Sequence, residues 1–132
     1  MTVREAACRC GQLTATCTGE PVRVSVCHCL DCQRRSGSAF SAQARWPIAD
    51  VTVTGDSHCY QHRGDSGGLG TFRFCPSCGS TIAYDIEALP GLVAVPLGAF
   101  ADPSFPPPAF SVYEERRHPW VAVLGDGVEH FQ

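Results

Sequence analysis

Lysine is absent from this chain: all ten of its cationic side chains are arginines. We read that as coding bias and not as function. The arginines are scattered, and the formal net charge is only -3. The sequence therefore has no electrostatic footprint for duplex nucleic acid or an anionic membrane, and neither partner is expected. Long apolar runs are also missing. Stretches such as GLVAVPLGAF fall far short of the ~20 residues that a membrane helix needs. The opening MTVREAACRCGQL has no apolar h-region and no small-residue cleavage site, so no secretory signal is expected. Helical periodicity is thin: LDCQRRSG predicts one or two turns closed by Gly37, and PWVAVLGDG suits a short helix or a strand equally. There is no internal repeat and no low-complexity tract.

What is present is alternation, turn residues and cysteine. The runs QLTATCTG, PVRVSV, AFSAQARW, DVTVTG, HCYQHR, TFRFC, STIAYDIE and GLVAVPLG alternate apolar with polar residues and are separated by turn signals. They predict half-buried strands in an antiparallel, all-β or β-rich architecture. In PVRVSV, Val22, Val24 and Val26 share one face and Arg23 and Ser25 the other. GDSGGLG (64–70) reads as a flexible loop, and DPSFPPPAF as a stiff surface crossing within one domain. At 132 residues the chain is expected to form a single domain over 1–132.

Nine cysteines is an odd number, and seven of them fall in tight CxC or CxxC groups. Metal sites bunch their cysteines, whereas disulfide frameworks usually spread them, so a reduced, cytoplasmic metalloprotein is expected. CRCG (Cys8, Cys10) and CPSCG (Cys75, Cys78) look like halves of one structural zinc site with four thiolates, each knuckle turning at a glycine. The middle group, Cys27, Cys29 and Cys32 in VCHCLDC, offers three thiolates and leaves the fourth corner to Cys17, Cys59, a histidine, water or a substrate. Cys17 and Cys59 suit buried structural thiols better. His28, between two ligands, should point away from the shared ion. His58 and His62 are too far apart along a strand to chelate jointly, and surface or capping roles are the default for them and for His118 and His130. An open corner is thus the leading reading, and it is the catalytic form of a zinc site. Zn²⁺ with three thiolates carries one net negative charge, which suits the capture of an incoming thiol. Arg34 and Arg35 follow directly, either as bidentate partners for a substrate's carboxylates or as part of a solvated face.

The motifs CRCG, VCHCLDCQRRSGSAF, FRFCPSCGSTIAY and LGAFADPSFPPPAFSVYEERRHPW, in that order, resemble the glutathione-dependent formaldehyde-activating enzyme family, also called the centromere protein V/Gfa domain. The resemblance runs from Cys8 to about Trp120. It implies an Mss4-like β-tent of coiled antiparallel sheets with two zinc ions per chain. By the same resemblance, Cys8, Cys10, Cys75 and Cys78 hold the structural zinc and Cys27, Cys29 and Cys32 the catalytic one. The implied reaction is carbon–sulfur lyase chemistry on a small thiol adduct, after S-(hydroxymethyl)glutathione synthesis from glutathione and formaldehyde. His28 or bound water would handle the proton, and Arg34 and Arg35 would bind the substrate. The competing class is a non-catalytic, protein-binding zinc scaffold, which a fourth internal ligand at the middle cluster would favour.

Overall fold

The structure, a computed structural model, describes residues 1–64 and 66–132. Its strands form two sheets. The smaller contains β1 (Val3–Ala7), β2 (Thr14–Thr18) and β5 (Val51–Thr54) in the order β1-β2-β5, all antiparallel. The larger adds β3 (Arg23–Cys27), β4 (Ser41–Pro47), β6 (His58–Arg63), β7 (Leu69–Phe74), β8 (Thr81–Ile86), β9 (Leu92–Pro96), β10 (Phe110–Val112) and β11 (Glu129–His130). Its order is β11-β10-β3-β4-β9-β8-β7-β6. Among the described residues one α-helix forms, α1 (Leu30–Ser36), which lies between β3 and β4 in the chain and ends at Gly37 with φ 68°, the left-handed geometry that the sequence asks of that glycine.

Each strand expected from alternation is present. Three more are not marked by it: β1, β10 and β11. β10 pairs with β3 and with β11 in parallel, so the large sheet is mixed rather than wholly antiparallel. The PWVAVLGDG segment forms neither helix nor strand. Asp65, in the loop expected at 64–70, lies outside the described residues, and Leu69 and Gly70 already belong to β7. Among the described residues no helix is long and apolar enough to cross a membrane.

The two sheets enclose one core. In β2 the pattern TATCT sends Ala15 and Cys17 inward, both fully buried, while the threonines stay half-buried. Ala6, Val24, Ala44, Trp46, Ile82 and Val95 meet them from both sheets. Trp46 is the largest buried side chain, and its indole N–H donates to the Gly19 carbonyl at 2.9 Å, so its polar handle is satisfied. The proline-rich crossing does more than pass over the surface. Its Phe105 is buried, packed against Phe100 at 4.8 Å and Trp46 at 6.5 Å between ring centroids.

β3 and β4 are buried on both faces, not half-buried. Val24, Ala44 and Trp46 point into the core. Their alternates Ser25, Gln43 and Arg45 are buried too, as the polar floor of a cavity on the other side. Alternation set the faces correctly; the polar face is covered by the functional site.

Candidate metal centres and the cavity beside them

The first cluster is built from two glycine-closed turns. Cys8 and Cys10 follow β1, and the Gly11 N–H donates to the Cys8 carbonyl at 3.0 Å with Gly11 at φ 87°. Cys75 and Cys78 follow β7, and the Gly79 N–H donates to the Cys75 carbonyl at 2.8 Å with Gly79 at φ 82°. Backbone N–H groups aim at sulfur as they do around thiolates: Leu13 N to Cys8 Sγ at 3.3 Å and Ser77 N to Cys75 Sγ at 3.4 Å. The Gln12 amide donates to Cys75 Sγ at 3.0 Å and to the Asp56 carbonyl at 2.8 Å, tying one knuckle to the other. That contact holds the Cys75 thiol below its usual value, and hydrogen bonding with Ser80 brings Cys78 down to about 5. The Sγ atoms of Cys8 and Cys10 are 3.6 Å apart, and those of Cys10 and Cys75 3.7 Å. A tetrahedron with ~2.3 Å metal–sulfur bonds has an edge of roughly 3.8 Å, so the four thiols fit zinc.

The second cluster sits at the junction of β3 and α1. Cys27 ends β3, Cys29 is the N-cap of α1, and Cys32 lies in the first turn. Cys29 Sγ accepts from the Cys32 N–H at 3.2 Å, so the cap itself fixes two of the three ligands. The three sulfurs lie within 4.8 Å of one another, and among the described residues no fourth Cys, His, Asp or Glu joins them. Hydrogen bonds from Cys27 and Cys29 pull the Cys32 thiol down to about 2, while bonding to Cys29 and Cys32 holds the Cys27 proton well above the ordinary thiol value. One sulfur thus ionises readily and its neighbours resist. A divalent cation removes that resistance, so this donor set also fits zinc.

Cys17 and Cys59 stay outside both clusters. Cys17 is a fully buried core thiol, pushed up to about 11 by burial, and Cys59 is exposed on β6 opposite Arg73. His28 points away from the cysteines as expected: its Nε2 pairs with Ser111 Oγ at 3.0 Å, it is fully buried, and it does not line the cavity beside the triad. Burial lowers its pKa, and its Nδ1 has no hydrogen-bond partner among the described residues.

That cavity has a volume of about 320 Å³, with the three cysteines in its wall. β3 and β4 supply the polar floor in register: Cys27 lies opposite Ser41, Ser25 opposite Gln43, and Arg23 opposite Arg45. Gln43 is held on all sides. Its amide donates to Ser25 Oγ at 2.8 Å, and its Oε1 accepts from Ser41 at 2.9 Å and from Tyr84 at 2.9 Å. Burial pushes the Tyr84 phenol up to about 12, which keeps it a donor. A side chain so fully bonded is rigid.

Arg34 and Arg35 do not act side by side, because consecutive helical residues point about 100° apart. Arg35 reaches the cysteine cavity, with its guanidinium 4.7 Å from the Tyr84 ring centre and 5.7 Å from that of Phe72. Arg34 is exposed and lines only a neighbouring cavity of about 710 Å³, whose wall it shares with Arg35, Tyr60 and Phe74. Between the two cavities stands a pair that the sequence did not reveal: His62 Nε2 lies 2.8 Å from Asp31 Oδ1, and both residues line both cavities. His58, His118 and His130 have local partners instead: Phe74, Gln33 and Glu114. The Arg23–Ser25–Cys27 and Ser41–Gln43–Arg45 faces were findable, since period-two spacing puts them on the side of Cys27. The His62–Asp31 pair depends on β6 returning beside α1, for which no local signal exists.

The fold and sites together define a mainly β protein carrying two cysteine clusters able to hold metal, one closed by four sulfurs and one with three beside a cavity. The family model for the glutathione-dependent formaldehyde-activating enzymes matches residues 3–116, a span that contains both clusters, and the chain belongs to that family. Among solved structures it is similar to the crystal structure of a Rhodobacter sphaeroides protein, a structural-genomics target. The TM-score is 0.57 at 20% identity, over 72% of this chain and 85% of the other, a likeness of fold. No curated protein matched the sequence.

Proposed function

We propose that this protein, acting as one domain over residues 1–132, is a carbon–sulfur lyase-type enzyme that joins a small thiol to an aldehyde or cleaves the adduct. Glutathione and formaldehyde, giving S-(hydroxymethyl)glutathione, are the reference pair. The observation that carries the reading is the triad Cys27, Cys29 and Cys32, which opens on a cavity and gains no fourth ligand from the described residues. Zinc held there would supply Lewis acidity toward a thiol and so favour its thiolate at neutral pH. Cys8, Cys10, Cys75 and Cys78 would hold the second, structural zinc.

In the synthetic direction the sulfur attacks the carbonyl carbon, an S–C bond forms, the C=O π pair moves to oxygen, and that oxygen takes a proton. The net change moves one hydrogen from sulfur to oxygen. His62, oriented by Asp31 at 2.8 Å, is the wall residue suited to carry it. His28 is not, since it lies behind the cluster against Ser111 and does not line the cavity; its part is to brace the cysteine turn. Arg35 offsets the negative charge that builds up when a fourth thiolate joins the triad.

The test is exchange between glutathione, ¹³C-formaldehyde and their adduct, followed by NMR on zinc-loaded protein. Acceleration above the uncatalysed exchange, lost in Cys32→Ser, supports the reading. Exchange at the uncatalysed rate across a panel of thiol and aldehyde pairs would refute it.

A further inference from the structure

The cavity floor carries two cations where the sheet alone would not place them. Arg23 and Arg45 are direct partners across the antiparallel β3–β4 pair, and like charges so placed repel. Arg45 is only 7% exposed, and its side-chain hydrogen bond, from Nη1, goes to the neutral Ser25 Oγ at 3.3 Å. Arg23 Nε is buried without a hydrogen-bond partner among the described residues. Among the described residues no carboxylate pairs with either arginine. The acids among the cavity's described residues are engaged elsewhere: Asp31 faces His62, and Glu87 accepts from the Leu69 N–H and lies 3.9 Å from Arg63. Aromatic faces steady the arginines without neutralising them, Phe110 at 4.4 Å from the Arg23 guanidinium and Tyr84 at 6.0 Å from that of Arg45. A buried guanidinium has five donors and a charge that desolvation makes costly unless an anion meets it. Cys27 and Cys32 act on Arg45 through charge and not by a hydrogen bond. Both arginines line the cavity, so an anion that bonds to them directly enters through it.

We propose that Arg23 and Arg45 form the carboxylate anchor of the thiol substrate, reaching it from the rung of Ser25 while the sulfur sits at the cysteine triad. This rests on the thiol-adduct reading of the same site. The spacing decides which substrate carries the carboxylate. The Arg45 guanidinium contacts Ser25, one pleat repeat from Cys27, or roughly 7 Å along the strand. A carboxylate directly attached to the reacting aldehyde carbon would sit within ~3 Å of the sulfur, on the wrong rung. A carboxylate one residue along a peptide from a cysteinyl sulfur lies at roughly 6–8 Å, on the right one. The anchor thus selects peptide-like thiols with a carboxylate about one residue away, and leaves the aldehyde partner small and uncharged. It also takes the place of the adjacent Arg34 and Arg35 as the pair for that group, since Arg34 does not line the cysteine cavity.

S-methylglutathione separates this claim from the reaction, because it keeps both carboxylates but offers no thiolate. Its binding to zinc-loaded protein, measured by calorimetry, should weaken roughly 10- to 100-fold in Arg45→Met and in Arg23→Met. Arg45→Lys should recover part of the loss. Glutathione esterified at its glycine carboxylate should bind the wild type as weakly as free glutathione binds Arg45→Met. Melting of the ligand-free variants supplies the second readout. If the arginines await a ligand, Arg45→Met melts at or above the wild type, because a repulsive rung has been relieved. Equal S-methylglutathione affinity in wild type and variants overturns the anchor. So does a ligand-free Arg45→Met that melts lower and loses zinc, since the arginine then serves only to balance the thiolate cluster. Arg45-dependent binding without any turnover would refute the reaction and leave the anchor standing.

Discussion

Cys78→Ser removes one corner of the four-cysteine cluster with almost no change in side-chain size, and its effect is calculable from the chain path. The cluster joins residues near the N-terminus to a turn after β7; Cys10 and Cys75, whose sulfurs are 3.7 Å apart, are separated by 65 positions. Closing a loop of that length costs roughly 4 kcal/mol of chain entropy, which a metal-linked clip removes from the unfolded state. Cys32→Ser opens a clip that spans only Cys27 to Cys32. On the (3/2)RT ln n scaling the two clips differ by about 2 kcal/mol. The first cluster is also part of the core, since Cys8 and Cys75 pack with Ala6, Leu13 and Ile82. For a domain with about 5–15 kcal/mol in total, Cys78→Ser should lower the melting temperature by at least ~6–12 °C more than Cys32→Ser does. Thermal melts at matched zinc, with metal content measured on each sample, make the comparison. Equal losses in the two mutants would refute the division into a structural and a catalytic site.

Cys17→Ser should cost about 1–3 kcal/mol, because it buries a hydroxyl among Ala6, Ala15 and Trp46, yet leave metal content unchanged; Cys59→Ser, at an exposed strand position, should stay within ~0.5 kcal/mol in chemical denaturation. His62→Gln should slow adduct exchange while zinc stoichiometry and glutathione affinity hold, whereas loss of zinc in that mutant would make His62 a ligand. Glu20 pairs with Arg4 at 3.1 Å, and hydrogen bonding to that guanidinium lowers its pKa from 4.5. The folded value is the lower one, so the pair's stabilisation is complete above about pH 4.5 and is lost as pH falls through the folded value. Glu20→Gln should therefore lower the melting temperature slightly at pH 7 and not at pH 2.

Local chemistry accounts for what the sequence disclosed. Cysteine spacing and the glycines after Cys10 and Cys78 identified both clusters, because a knuckle is a local structure with fixed turn requirements. Gly37 marked the end of α1 for the same reason. The cavity was legible only in part. Arg23, Ser25 and Cys27 share a face by periodicity, but that face looks like a solvated one until α1 and β8 are known to cover it. The opposition of Arg23 to Arg45 depends on the register of β3 with β4, and the meeting of His62 with Asp31 depends on a long-range return of the chain. β10 and β11, only three and two residues long, gain their place by parallel pairing, β10 along β3 and β11 along β10, which no pattern so short can announce. Phe105 was hidden by its prolines, whose stiffness suggested a surface path while the ring between them packed inward.

On this reading the Cys27–Cys29–Cys32 site keeps a position for an external thiolate. Cobalt substitution tests it most directly, since sulfur-to-cobalt charge transfer rises with each thiolate bound. Two Co²⁺ should bind per chain, one with four thiolates and one with three. Glutathione titration should then add charge-transfer intensity equivalent to one further thiolate, and Cys32→Ser should abolish the increment. Spectra that already report four thiolates at both sites and ignore added glutathione would mean that an internal cysteine closes the triad, and the protein would then be a zinc scaffold and not this enzyme.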